Sequence, residues 1–178
     1  MPLIPQRTRF FVGCEGDSEY SYALFLQRLA NRQGLHVHLH RVNTGGGDPL
    51  AMVEEAVSDL RRALQKGKFA GRFMLLDEDR IGADHARDAK MRALAAKAGL
   101  DLILQQFDHE AVLLRHFLGH QSKRPPPGHS DAQLRQVWAG YKKPMSADEL
   151  LQQLTVADLQ RAMKVEPDLA AMLKAIGF

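Results

Sequence analysis

The stretch "FVGCEGDSEY", residues 11–20, passes from apolar side chains into a glycine and three carboxylates, Glu15, Asp17 and Glu19. Arg9 to Cys14 has the composition of a short buried strand. Asp17 or Ser18 is placed to cap a helix that runs to about Arg32 and is stopped by Gly34. A turn between the two needs no more than Gly16 and Asp17. Glu15 and Glu19 are surplus to that need, so the turn itself does not explain them.

Working outward, "LHVHLHRV" places Leu35, Val37 and Leu39 on one side and His36, His38 and His40 on the other, the two-residue period of a strand. After "NTGGGDP", Asp48 as cap and Pro49 at the first helical position open a helix with Val53, Ala56, Val57, Leu60 and Leu64 in one apolar stripe, ending near Gly67. "RFMLL" is a third strand, stopped by "DEDR". A helix from about Asp84 to Gly99 turns Met91, Leu94, Ala95 and Ala98 inward, and "LDLIL" is a fourth strand. Strands alternating with helices predict right-handed crossovers and a parallel sheet covered on both faces. Beyond Gln106, "HEAVLLRHFL" reads as helical and "SKRPPPGH" as a rigid connection. Three or four short helices follow, with a capping box at Ser146 and Glu149, a cap at Thr155 and Pro167 opening the last. The expected organisation is an α/β domain over residues 1–120 and a helical C-terminal extension, residues 121–178, packed on it because it offers few large apolar residues of its own.

The 178 residues suit one domain of ordinary globular composition, 45% hydrophobic and 25% charged. Lysine and arginine exceed aspartate and glutamate by only 24 to 21. The excess is local, however: Arg115, Lys123, Arg124, Arg135, Lys142 and Lys143 stand against the single acid Asp131 between Ala111 and Lys143. Such a run is either a solvated face or a surface for an anionic partner. A single cysteine, Cys14, excludes an internal disulfide and a cysteine-rich zinc site, and fits a reducing cytoplasm. "MPLIPQRTRFF" lacks the apolar segment of a secretory signal, and no run approaches the ~20 apolar residues that span a bilayer, so no membrane is expected.

Ligands of open parallel sheets bind at the C-terminal strand ends. The first strand ends at Glu15 and the third at Asp77. If these strands are neighbours, Glu15, Asp77 and Asp79 gather at one rim, with Asp77 and Asp79 projecting to the same side about 7 Å apart if the backbone stays extended. Carboxylates so crowded repel unless a cation compensates them or some are protonated. Mg2+ is the natural cation, being hard and oxygen-seeking. Glu19, one turn into its helix, lies near enough to support the site; taken alone it does no more than complement the helix dipole. "DED" taken alone is a solvated turn.

"CEGDSE" before a helix and "LLDEDR" closing a later strand resemble the Toprim domain, a Rossmann-like fold with a four-stranded parallel sheet, and in particular the RloB-like and OLD-like Toprim proteins of bacterial phage defence. The resemblance spans about residues 9–154. Its counterparts here are Cys14 to Glu19, Asp48 with Pro49, Asp77 with Asp79, "HEAVLLRHF" ending at Phe117, and Tyr141 with Lys143. The usual asparagine-proline-cysteine-phenylalanine is replaced by "QQFDH". The resemblance implies Mg2+- or Mn2+-dependent cleavage of DNA or RNA. Glu15, Glu19, Asp77, Asp79 and Glu110 would hold metal, Glu15 alternatively serving as general base. Lys143 would neutralise charge on the phosphoryl oxygens, and Arg115, Lys123, Arg124, Lys142 and Lys143 would bind the nucleic-acid backbone. A partner ATPase or other defence protein is also implied as possible company. The competing reading is a Toprim-fold module that binds nucleic acid or a protein without cutting.

Other features read more plainly. Cys14 ends a buried strand and is expected as a small core residue rather than a nucleophile. His36, His38 and His40 belong to a strand face, and "GGGDP" lacks the lysine and hydroxyl sequel of a nucleotide-binding loop, leaving a flexible turn and helix cap.

Overall fold

The computed structural model describes residues 6–178. The reading of "MPLIP" as lacking a secretory leader lies outside the described residues.

Four parallel strands form one sheet in the order β2-β1-β3-β4. They are β1 (Thr8–Cys14), β2 (Val37–Asn43), β3 (Gly71–Asp77) and β4 (Asp101–Gln105). The apolar runs of the central strands β1 and β3 are buried on both faces, as expected where crossover helices cover a parallel sheet, while the edge strand β2 buries Val37 and Leu39 and exposes His38. The first crossover helix, α1 (Asp17–Arg32), carries the chain one way from β1. The next two, α2 (Pro49–Leu64) and α3 (His85–Ala98), carry it back past β1 and on to β4. The strand order therefore reverses between β1 and β3, which is where an α/β sheet opens its ligand crevice. The register is Cys14 beside Leu75 and Asp77 beside Gln105, so Glu15 and Asp77 leave adjacent strands at one level.

Each face of β1 feeds a separate core. Phe10, Val12 and Cys14 pack with Tyr22, Phe25, Leu26 and Leu29 of α1; Phe11 packs with Val53, Ala56, Val57 and Leu60 of α2 and Met91 of α3. Gly13 permits the second arrangement, because a Cβ there would stand 2.3 Å from Met74 Sδ. In α3 only Met91 and Ala95 are fully buried, Leu94 and Ala98 reaching the core edge.

The remaining helices are α4 (His109–Leu114), α5 (Ser130–Val137), α6 (Ala147–Gln153), α7 (Val156–Met163) and α8 (Pro167–Ile176). The tail is richer in core than its composition implies. Leu134, Trp138, Tyr141, Leu150, Leu154, Leu159, Met172, Leu173 and Ile176 are buried in the same cluster as α1 and β1. These side chains are spaced along several short amphipathic helices, so no single window looks strongly apolar. At about 1.5–3 kcal/mol for each large side chain buried, their removal from water is a major part of what closes the α1 face.

Candidate functional site

The β1–α1 turn begins one residue earlier than the cap rules place it. Gly16 is the N-cap, and its N–H donates to Glu19 Oε2 (3.1 Å). Glu19 thus does the work of a first-turn acid, yet it is only 4% exposed, turned into the crevice rather than into water. Asp17 stays outside, where its Oδ1 accepts from Asn43 (2.7 Å). Glu15 Oε2 accepts from the backbone N–H of Asp77 (2.8 Å), which ties the end of β1 to the end of β3 through a side chain. The glycine loop closes over this turn: Gly46 N–H donates to Glu15 O (2.7 Å), while Gly45, Gly46 and Gly47 all take positive φ.

Glu15, Gly16, Asp17, Ser18, Glu19, Gly46, Asp77, Lys143 and Pro144 line a cavity of about 330 Å³. Burial, then the charges of Glu19, Glu15, Glu110 and Asp108, push the Asp77 carboxyl up to about 9. Burial also raises Glu15, to about 6; the Asp77 N–H opposes the rise and Glu19 and Asp79 add to it. These carboxyls share one rim without a lysine or arginine bonded to any of them. Their neighbour is an amide: with Gln105 Oε1 accepting from His109 Nδ1 (2.7 Å), its Nε2 donates to Asp77 Oδ1 (3.1 Å) and Glu19 Oε1 (3.3 Å).

Three expected members of the site stand elsewhere. Asp79 does not project beside Asp77, because β3 ends at Asp77 and the chain turns, with Ile81 N–H donating to Glu78 O. The two-residue alternation needs extended backbone and stops with it. Asp79 instead lines a neighbouring depression with Asp48, Arg80 and Arg87 and reaches Glu15 only through its field. Glu110 is held: Oε1 accepts from Tyr141 (2.8 Å), and Lys143 Nζ lies 2.9 Å from Oε1 and 3.1 Å from Oε2. Burial opposes its ionisation, but His109, Lys143 and Tyr141 keep it below the usual carboxylate range, making it the counter-ion of Lys143 rather than an open ligand. Arg115 is fully buried, 2.9 Å from Glu166 and bonded to Gln106 O and Lys123 O, which removes it from any nucleic-acid surface.

The rest of the basic segment is also largely committed. Arg124 donates to Gln121 O and Lys123 O, Arg135 pairs with Asp131, and Lys142 pairs with Glu149 (3.0 Å). Sequence reading passed over Gln105, which lies with His109 in the departing "QQFDH" segment. The signal in the sequence was only two hydrogen-bonding side chains four residues apart, one closing β4 and the other opening α4. Cys14 is buried, and burial raises its thiol, as expected of a core residue.

The free oxygens facing the cavity are hard donors, and Glu15, Glu19 and Asp77, crowded there without a lysine or arginine partner among the described residues, fit a small divalent cation in chemistry. The cage is not preassembled: among the described residues no three His, Cys, Asp or Glu side chains are grouped to hold a metal ion. No described helix is long and apolar enough to cross a membrane. Comparisons of the chain with protein-family models, with curated proteins and with solved structures give no match.

Proposed function

We propose that this chain is a metal-dependent nuclease of Toprim-like type, cleaving phosphodiester bonds in DNA or RNA in the setting of phage defence. The observation that carries the reading is the crowding of Glu15, Glu19 and Asp77 at the β1/β3 strand ends, with Asp77 raised to about 9 by burial and then by the charges of its neighbours. Structural acids are normally paired or solvated, whereas carboxyls perturbed by burial and by one another in a crevice mark functional sites. Glu15 and Asp77 are the residues placed to hold Mg2+ or Mn2+, with Glu19 available when Gly16 and Gln105 release it. Bound there, the ion supplies Lewis acidity and a more acidic water.

As the alternative to holding metal, Glu15, near 6, sits close enough to neutrality to accept a proton at the oxygen not engaged by Asp77 N–H. Lys143, raised by Glu110, Asp77 and Glu19 against the opposing effect of burial, keeps its charge at the cavity wall and can face a phosphoryl oxygen. Gly16 suits close approach of a phosphate: an added Cβ would touch only Glu19 Oε2, at 3.7 Å, so nothing in the packing requires glycine there.

The second reading, a module that binds without cutting, is favoured by the absence of a three-residue cage among the described residues and by the Lys143–Glu110 pair at the cavity. Supercoiled plasmid and single-stranded RNA incubated with Mn2+ or Mg2+ separate the two. The nuclease reading expects cleavage that EDTA, Glu15→Gln and Asp77→Asn each remove; binding with no cleavage at any metal concentration establishes the module instead.

A further inference from the structure

The opposite end of the same sheet carries a second charged feature. Gln6, Arg7, Thr8, Arg9, His38, Lys66, Gly67, Lys68, Phe69 and Ala70 enclose an open cleft of about 930 Å³ where β1 and β2 begin and the α2–β3 connector crosses. No acid lines it. Among the described residues, none of Arg7, Arg9, Lys66 and Lys68 has a carboxylate partner; Arg7 reaches only Asn31 Oδ1 (3.4 Å) and Arg9 only Lys66 O (3.1 Å).

Arg9 is seated rather than loose. Its guanidinium lies over the Phe69 ring, 4.4 Å from the centroid. Gly67 makes room for it: φ is +130° there, and a Cβ would stand 2.7 Å from Arg9 Nη1. Arg7, Lys66, Lys68 and His38 are exposed around it. The field is felt nearby, since burial and then Arg9 hold both His38 and His40 below the ordinary imidazole range, with Arg7, Arg41 and Lys66 contributing.

We infer that this cleft binds the phosphate backbone of a nucleic acid, without reading its sequence. Positive charge from two separate chain segments, Arg7 with Arg9 and Lys66 with Lys68, is spread along an open surface, which suits a repeating anion better than one enclosed phosphate. With no acid to orient a ligand, and with Phe69 already covered by Arg9, Phe11 and His40, the cleft presents no group that discriminates bases. It lies about 23 Å along β1 from Glu15, the rise of seven strand residues, so a duplex lying along the molecule reaches from one end to the other in about two-thirds of a helical turn. The inference rests on the nucleic-acid half of the function proposed above, not on cleavage.

The test is binding of a mixed-sequence DNA duplex of about 30 base pairs in EDTA, followed across about 50–200 mM salt. Lys66→Glu with Lys68→Glu is expected to weaken binding at least about tenfold and to make the log–log salt slope shallower by about 1.8, the loss of two phosphate contacts. Lys66→Gln with Lys68→Gln should move both in the same direction by less. Arg28→Glu with Arg135→Glu, whose charges are paired with Asp148 and Asp131, should move them little. The assignment is overturned if wild-type protein does not bind the duplex, or if the Lys66 and Lys68 variants lose no more than the Arg28 and Arg135 variant. Competition by polyglutamate as effective as that by duplex, charge for charge, also overturns it. Glu15 and Asp77 are untouched throughout, so failure of cleavage and failure of binding are read separately.

Discussion

The two ends of the sheet concentrate opposite charges in opposite ways. At the start of β1 and β2, Arg7, Lys66 and Lys68 stand in water, where like charges a few ångströms apart cost little. At the far end, Glu15, Glu19 and Asp77 are partly or fully withdrawn from water, and there burial, with the charges of neighbouring carboxylates adding to it, raises the carboxyls of Glu15 and Asp77. What holds the acids together is a small set of donors: Gly16 N–H, Asp77 N–H and the Gln105 amide. The basic end should therefore respond to salt, and the acidic end to pH and to divalent cations.

The largest effect expected is on chemistry at the acidic end alone. Glu15→Gln should reduce Mn2+-dependent cleavage by about a hundredfold or more while leaving duplex binding in EDTA intact. Plasmid nicking measured beside duplex binding checks both halves, and parallel loss of the two would erase the division between the ends.

Leu173→Ala should weaken both ends together. Leu173 is fully buried in the cluster shared by α8, α1 and β1, so truncation should cost about 2–5 kcal/mol in urea unfolding, through one cooperative transition. Two separate transitions would mean that the tail helices and the sheet do not share a core.

A smaller effect concerns pH. Because the folded carboxyls of Glu15 and Asp77 are raised, the folded state keeps protons that the unfolded chain has released between about pH 4 and 9. The metal-free protein should accordingly lose stability as pH climbs through that window. Asp77→Asn should flatten the trend and raise Tm by about 5 °C at pH 8, and added Mn2+ should raise the wild-type Tm there but not that of the variant. Thermal melts across pH check this; a wild-type Tm that rises from about pH 5 to pH 8 would contradict it. The smallest effect is expected at Asp79, which faces another depression: Asp79→Asn should change cleavage less than about threefold.

Much of this architecture was legible beforehand because it depends on neighbours in the chain. Alternation in "LHVHLHRV", the Asp48–Pro49 start and the Ser146–Glu149 box all act over a few residues, and each element appears where they place it. Asp79 shows where such reasoning ends, since a two-residue period says nothing once the strand stops. The run from Arg115 to Lys143 shows a second limit. As sequence it is a basic stretch, yet Glu166, Glu149 and Glu110 arrive from outside it to meet Arg115, Lys142 and Lys143.

Strand and helix order, and the placing of acids at the ends of the first and third strands, were determined by the sequence alone. Periodicity, caps and breakers are local forces, and they act before any distant contact exists. Which charges remain unpaired was decided only in the tertiary structure. Attraction between ions depends on distance in space, and the fold set Glu110 against Lys143 while gathering Arg7, Arg9, Lys66 and Lys68 with no acid among them.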